Sequence, residues 1–482
     1  MERHLMRIAI IGGGISGLAT AYRLSRSRPG QEGELEIHVF EARDSLGGVI
    51  QTENRDGFLM DQGPDSFISS KPWAVELCRE LGLDQDFMET NPNLRQSFIL
   101  SQDKLIPVPH GFYLMAPTKV SEALRTPLLS FTGKFRMACE VFISPKREEG
   151  DESLASFVRR RFGQETLERI AQPMIAGIYT ADPEELSLGA TFPHFLQMER
   201  EHGSIIRALS RKKDGATGKT SGPRCSLFLT LKGGLHSLIS KLIQRMPQVY
   251  FHPATKVVRL EKNSCFKISF EKGEIVEADT VCLAIPASSS ARLLRDISES
   301  MANDLRQIPY DTVATVSLAF HRKDIRHPLN GLDYVVPSIE NKKIVGCTFS
   351  SIKFSGRTQN SETTLLRAFL GGKASRELLE LDDQNVVKTV CGEVCRQLGI
   401  STDPILAMMS RWPESIPQYR VGHRQTVERI FAALRNFRGL YLTGNAYDGT
   451  GIPDCIRHAF QTADQILSGF DHPVKAVSVG SR

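Results

Sequence analysis

Four residues near the start of the chain have types and spacing that suit a nucleotide. Gly12, Gly14 and Gly17 stand as GxGxxG, and Glu41 follows at the end of the next apolar run. In such a turn the first glycine permits a tight reversal, the second lets backbone approach a pyrophosphate, and the third lets a helix lie close to its strand. A carboxylate at Glu41 suits a ribose diol and would repel a 2′-phosphate, which argues against NADP. These roles require elements around them. Residues 8–11 read as a buried parallel strand and 34–40 as its neighbour. Residues 15–24 read as a helix whose first residues, Ile15 and Ser16, face the phosphates with free N–H groups and a positive dipole end.

A second cradle is predicted near the other end of the chain. Residues 439–456 read as a strand, a glycine-rich loop and another helix start, with Gly444, Asn445, Gly451, Ile452 and Pro453 at the turn. Two helix N-termini aimed at anions favour a long dinucleotide held across a discontinuous domain. The chain carries no second GxGxxG for a nicotinamide nucleotide, so FAD is the expected cofactor and a small acceptor such as oxygen is the expected exit for electrons.

The composition is compatible with this. At 482 residues the chain is long enough for two or three domains, and its 41% hydrophobic and 24% charged residues are ordinary for a soluble protein. A net charge of +5 favours an anionic ligand or an anionic membrane surface but is too small to argue for nucleic acid. Nine scattered cysteines read as reduced thiols of a cytosolic protein. No metal-ligand cluster is evident, and the N-terminal stretch lacks the cleavage site of a signal peptide. No apolar run reaches the roughly 18 to 20 residues of a spanning helix.

Between the cradles, 57–67 reads as a cofactor-contacting loop rather than a core strand, 73–83 as a helix, and 97–108 as a hairpin. Residues 116–162 are helical in character, and the apolar, basic, proline-broken run 124–137 is either an ordinary helical surface or one that dips into lipid headgroups. A helix should end at Gly177. Residues 211–224 read as a mobile loop. The runs 312–320, 334–337, 344–350 and 364–370 predict an antiparallel sheet, and 383–398 an amphipathic helix.

Glu41-Ala42-Arg43 leading to Gly47-Gly48 resembles the EAxxxxGG segment of the flavin amine-oxidase superfamily. Within it, Gln62-Gly63-Pro64-Asp65-Ser66-Phe67, the run 172–193, Arg411-Trp412 through Tyr419, and Gly444 to Tyr447 resemble the protoporphyrinogen and coproporphyrinogen oxidases of the bacterial oxygen-dependent type. The resemblance spans nearly the whole chain and is weakest in 200–228. It implies a Rossmann-like FAD-binding domain, an antiparallel-sheet substrate domain and a helical, membrane-contacting subdomain, an α/β plus α+β fold. The expected boundaries are 1–85, 226–290 and 412–470 for the FAD domain, 86–110 and 291–411 for the substrate domain, 111–225 for the helical part and 471–482 for a flexible tail. It also implies FAD contacts at Gln62 to Asp65, Val257 and Trp412, and a substrate site at Gly177, Phe354 and Val335.

Plant and animal members carry an arginine just before the aromatic of the hairpin strand, where this chain has Ser97 before Phe98. Arg95 and Lys71 are the substitute cations for the substrate propionates. Ser97 looks like the Bacillus-type enzymes that act on coproporphyrinogen III, whereas 197–202 and 444–447 look like proteobacterial protoporphyrinogen oxidases. The expected reaction is hydride removal from a porphyrinogen carbon to the flavin in three two-electron rounds, with protoporphyrinogen IX as the first substrate choice, coproporphyrinogen III as the alternative, and no side chain assigned as acid or base. Other flavin oxidases, acting on amines or carotenoids, are the rival class. Peripheral membrane contact, a homodimer and hand-over to a ferrochelatase are the implied associations.

Overall fold

The computed structural model describes residues 5–26, 35–94, 96–109, 111–146, 150–215 and 228–471. Five parallel strands form a sheet in the order Tyr250–His252, Leu35–Phe40, Met6–Ile11, Thr280–Leu283, Leu440–Leu442. The apolar run at its centre does not alternate because both faces are covered. Ile8 and Ile10 pack into a core shared with Leu18, Leu77, Leu238 and Ile456, which stand on four helices. Ala9 and Ile11 pack the other way, with Leu260, Phe266, Ile268 and Ile430. The fold is thus of the doubly covered dinucleotide type expected from the glycine turn.

A seven-stranded sheet runs Leu406–Pro417, Tyr310–His321, Thr363–Leu370, Gly346–Thr348, Asp333–Val335, Ser97–Ser101, Lys104–Pro107. Its neighbours pair antiparallel, except that Asp333–Val335 and Ser97–Ser101 are parallel. The expected antiparallel wall is therefore mixed where the 97–107 hairpin joins its edge. Helix Asp383–Leu398 covers it with Val386, Val390, Val394 and Leu398, a buried stripe at four-residue spacing. Asp382 caps this helix by accepting from the Asn385 N–H, and left-handed Gly399 ends it.

Three local expectations need correction. Within 57–67, Phe58–Asp61 is a strand paired with Thr52–Arg55, because Phe58 and Met60 find burial against Leu365 and Leu406, far away in sequence. The 116–162 stretch is not continuously helical but is divided into Val120–Arg125, Phe131–Ala138 and Leu154–Phe162. Helix Ile205–Gly215 runs into the stretch read as a mobile loop. The rest of that loop and residues 472–482 of the tail lie outside the described residues.

The helical part is fixed by buried charge as well as apolar packing. Around Phe157, Phe162, Ile170 and Phe195, Arg161 is fully buried and paired with fully buried Glu140. Glu140 also accepts from Ser204 Oγ and from the N–H groups of Ile205 (2.9 Å) and Ile206 (3.3 Å), so one carboxylate both neutralises a guanidinium and caps the next helix. Removing Glu140 leaves buried Arg161 with only the longer carboxylate contact, to Glu199 at 3.5 Å, and takes the acceptor from Ser204 and from the Ile205 and Ile206 N–H groups. Glu140→Ala should therefore destabilise the protein by about 3–5 kcal/mol, read as a lowered urea midpoint; a loss below about 1 kcal/mol, the scale of an exposed pair, would contradict this account.

Candidate active site

The glycine turn separates packing from ligand access. Gly12 has φ +111°, and a Cβ there would lie 2.4 Å from the Ala284 carbonyl oxygen. At Gly17 a Cβ would lie 1.9 Å from the Gly12 oxygen, so these two positions are closed to side chains by backbone. At Gly14 the nearest neighbour would be Gly48 Cα at 4.0 Å, which leaves space in front of the start of helix Ile15–Ser25. Glu41 reaches into the same mouth: one carboxylate oxygen accepts the Gly13 N–H at 2.7 Å and the other the Arg43 N–H at 2.9 Å. The Gly47 N–H donates to the Gly13 carbonyl (2.8 Å), and Gly47 and Gly48 both have positive φ. Residues 12–17 and 41–48 thus form one concave cradle, with Ser16 buried and Ala42 and Arg43 exposed at its rim. Val257 follows Ala254 and Thr255, whose N–H groups bond the Arg43 and Glu41 carbonyls, so that segment lies along the outer end.

The opposite wall is assembled from distant segments. The Gln62 carbonyl accepts from Trp412 Nε1 and from Thr315 Oγ1, each at 2.9 Å, and the Arg43 guanidinium lies 5.2 Å from the Trp412 ring centroid. A Cβ at Gly63 would lie 1.8 Å from the Val49 oxygen, and Arg367 donates to the Gly63 carbonyl. After Pro64, Asp65 meets Lys353 at 3.0 Å and Arg367 at 3.7 Å. Burial alone would raise this carboxyl, but the two cations override it and hold Asp65 well below the usual carboxylate range. Asp61 pairs similarly with Arg357 at 3.0 Å. Sequence reading missed these three basic partners, which stand on helix Ser350–Lys353, on the loop after it and on strand Thr363–Leu370, and become visible only when the sheets close.

The second glycine loop and helix start are also in place. Gly444 has φ +134°, and Asn445 Nδ2 donates to the Ser415 carbonyl at 3.2 Å. Gly451, Ile452 and Pro453 open helix Ile452–Asp471, whose Asp454 accepts from Lys71 Nζ at 2.6–2.7 Å. Lys71 is therefore already paired, beside the cofactor cradle, although its side chain is 44% exposed.

The proposed substrate residues are brought together only in part. Helix Gln172–Tyr179 ends at left-handed Thr180, past Gly177, and both Gly177 and Ile178 are exposed. Burial, and then the Asp454 carboxylate, push the Tyr179 phenol well above its ordinary value. Phe354 presents no open face: it is 1% exposed, with Lys353 Nζ 4.9 Å and the Arg357 guanidinium 5.6 Å from its ring centroid. Val335 is buried in the helical core with Ile99, because its strand is paired on both sides. Ser97 is buried on the adjoining strand, and Arg95 lies outside the described residues.

Comparison with known proteins agrees with this geometry. The model of the flavin containing amine oxidoreductases matches residues 15–467. The chain is 32% identical to the coproporphyrinogen III oxidase of Bacillus subtilis over 93% of its length and 95% of that protein, and 30% identical to the one of Staphylococcus aureus over 96% and 99%. It is 29% identical to the chloroplastic protoporphyrinogen oxidase 1 of Arabidopsis thaliana, over 95% and 87%. A crystal structure from Exiguobacterium sp. 255-15, provisionally assigned as a protoporphyrinogen oxidase, superposes with a TM-score of 0.86 at 29% identity, covering 97% of this chain and 99% of that one. A reduced UDP-galactopyranose mutase shares the fold at 15% identity, with a TM-score of 0.71 and coverage of 96% and 94%. The chain belongs to the flavin-containing amine oxidoreductases and, within them, to the porphyrinogen oxidases, and it is an FAD-dependent oxidoreductase.

Two histidines near the second cradle give it a pH dependence. His423 stacks on Tyr419 with ring centroids 3.9 Å apart, and His458 packs against Tyr447 at 5.8 Å. Burial pushes both imidazoles down to about 4. The unfolded chain, with imidazoles near 6.5, takes up these protons first. Stability is therefore fully present above about pH 6.5 and is lost as the pH falls towards 4, by up to roughly 3 kcal/mol per site. Melting curves between pH 7.5 and 4.5 should show a falling Tm, with a shallower fall in His458→Gln; an unchanged slope in that variant would count against burial of a neutral His458.

Proposed function

We propose that this protein oxidises coproporphyrinogen III to coproporphyrin III with oxygen as acceptor, removing six electrons and six hydrogens in three rounds, each giving one hydrogen peroxide. The observation that carries this reading is that the relatives at 30–32% identity are coproporphyrinogen III oxidases, while the plant protoporphyrinogen oxidases stand at 27–29%. Ser97, where plant and animal enzymes carry arginine, supports the same choice. Protoporphyrinogen IX is the second reading, favoured by the Exiguobacterium structure.

When bound between the two cradles, FAD supplies the acceptor for a hydride in each round. The chain's own contribution is positioning. Gly12, Gly14, Gly17 and the start of helix Ile452–Asp471 receive phosphates, Glu41 a ribose, and residues 62–65 with Trp412 the redox end. Exposed Gly177 and Ile178 offer a flat wall to the macrocycle, with Lys71 and Arg95 as cations for its carboxylates; Val335 lies in the core behind the helical part, and buried Phe354 has no face open to the macrocycle. The pyrrole N–H proton leaves to solvent or a backbone carbonyl. The domain boundaries given above form part of this proposal. Anaerobic mixing with each porphyrinogen is the direct test: flavin absorbance should bleach faster with coproporphyrinogen III, and faster bleaching with protoporphyrinogen IX would reverse the assignment.

The helical part would add peripheral membrane contact. Phe131, Phe135 and Phe142 are 90%, 71% and 81% exposed, and Lys134 Nζ lies 5.5 Å from the Phe131 ring centroid, an arrangement suited to apolar insertion beneath anionic headgroups. Among the described residues no helix is long and apolar enough to cross a membrane. The protein should co-sediment with vesicles containing phosphatidylglycerol, and Phe131→Ser with Phe135→Ser should reduce the bound fraction several-fold; equal binding by the variant would exclude this surface.

A further inference from the structure

Tyr419 is 1% exposed and uses both hydrogen-bonding capacities of its phenol on one loop. Its O–H donates to the Asn445 carbonyl at 2.6 Å, and its oxygen accepts the Gly449 N–H at 3.0 Å. The phenol thus ties together both sides of the turn that leads from strand Leu440–Leu442 into helix Ile452–Asp471. The Tyr419 backbone faces elsewhere: its carbonyl accepts the Ser187 N–H at 2.7 Å, and the Val421 N–H donates to the Glu185 carbonyl at 2.9 Å. One residue further on, the Gly422 N–H donates to Asp151 Oδ2 at 3.2 Å, and the same oxygen accepts from Ser187 Oγ at 2.6 Å. Residues 185–187 lie just beyond the helix that carries Gly177.

From this we infer that Tyr419 is a positioning residue for FAD, which sets the Asn445–Gly449 turn in register with the helical part. Its main chain is held by one unit and its phenol holds the other, so the spacing between the substrate wall and the second cradle passes through this ring. The inference needs FAD in the cradle and is independent of which porphyrinogen is oxidised.

Tyr419→Phe removes the oxygen and keeps the buried ring. With apo-protein titrated by FAD in the absence of substrate, the dissociation constant should rise about tenfold, the scale of two lost hydrogen bonds. The vibronic shape of the bound flavin's visible band should change as well. Thermal unfolding with and without FAD separates positioning from simple stability: the increase in Tm on adding FAD should shrink in the variant. If FAD affinity, visible band and Tm increase all match the native protein, the inference is wrong. If the apo-protein melts lower but FAD still raises Tm by the native amount, the phenol serves only folding and the inference falls equally. A failure to oxidise porphyrinogens with these three readouts altered as expected would count against the proposed reaction and leave the role of Tyr419 standing.

Discussion

Strand Thr280–Leu283 is the constraint on which the cofactor site depends. Its four buried residues pair on one side with 8–11 and on the other with 440–442. Those two strands end in the two glycine loops, so one short ladder brings together turns from opposite ends of the chain. Ala284 completes the arrangement. Its N–H bonds the Ile11 carbonyl, and its own carbonyl occupies the space that a side chain at Gly12 would need. The tightness of the first turn is thus imposed by a strand from the middle of the sequence as much as by the glycines. A parallel arrangement suits this purpose because all its strands present their carboxyl ends, where ligands bind, at the same edge.

Charge around residues 61–65 is compensated by specific partners, and under the proposed function this limits how the site can recognise an anionic substrate. Lys353 and Arg367 are committed to Asp65, Arg357 to Asp61, and Lys71 to Asp454. Three of these cations are largely buried, so freeing one for a substrate carboxylate would strand a carboxylate in a poorly solvated place. Lys71 differs because its exposed end can be rehydrated when it moves. The same reasoning explains the burial of Phe354. Its ring lies beside Lys353, which holds Asp65, and Arg357, which holds Asp61, a place that leaves it no face to turn outward.

The cofactor half of the protein was legible because its signals are local. GxGxxG, a carboxylate at the end of the next strand, and a glycine loop before a helix each depend on a few adjacent residues, and the two glycine loops follow strands that flank Thr280–Leu283 in one sheet. The helix over 383–398 was equally plain, since its stripe, its Asp382 cap and its Gly399 stop lie within one short segment. What escaped was non-local. The Phe58–Asp61 strand is decided by burial against Leu365 and Leu406, and the parallel pairing of 333–335 with 97–101 by how the hairpin meets the sheet. The burial of Phe354 and Val335 was not legible either, because exposure depends on what packs above a residue.

The division of the site between units bears on how specificity can vary within such a fold. The fold is shared by proteins with little sequence in common, as the match to a reduced UDP-galactopyranose mutase at 15% identity illustrates. Gly177 and Ile178 belong instead to the helical part, whose own stability rests on Glu140, Arg161 and their apolar surroundings rather than on the cofactor sheet. Substitutions in that wall can therefore reshape the substrate site without straining the glycine turns. Such freedom requires that the two units keep a fixed spacing, and a few directional bonds at 151, 187 and 419 are better suited to that than apolar contact, which tolerates sliding. Under the proposed function, recognition of the macrocycle and retention of FAD are then separable properties, joined by the short segment around Tyr419.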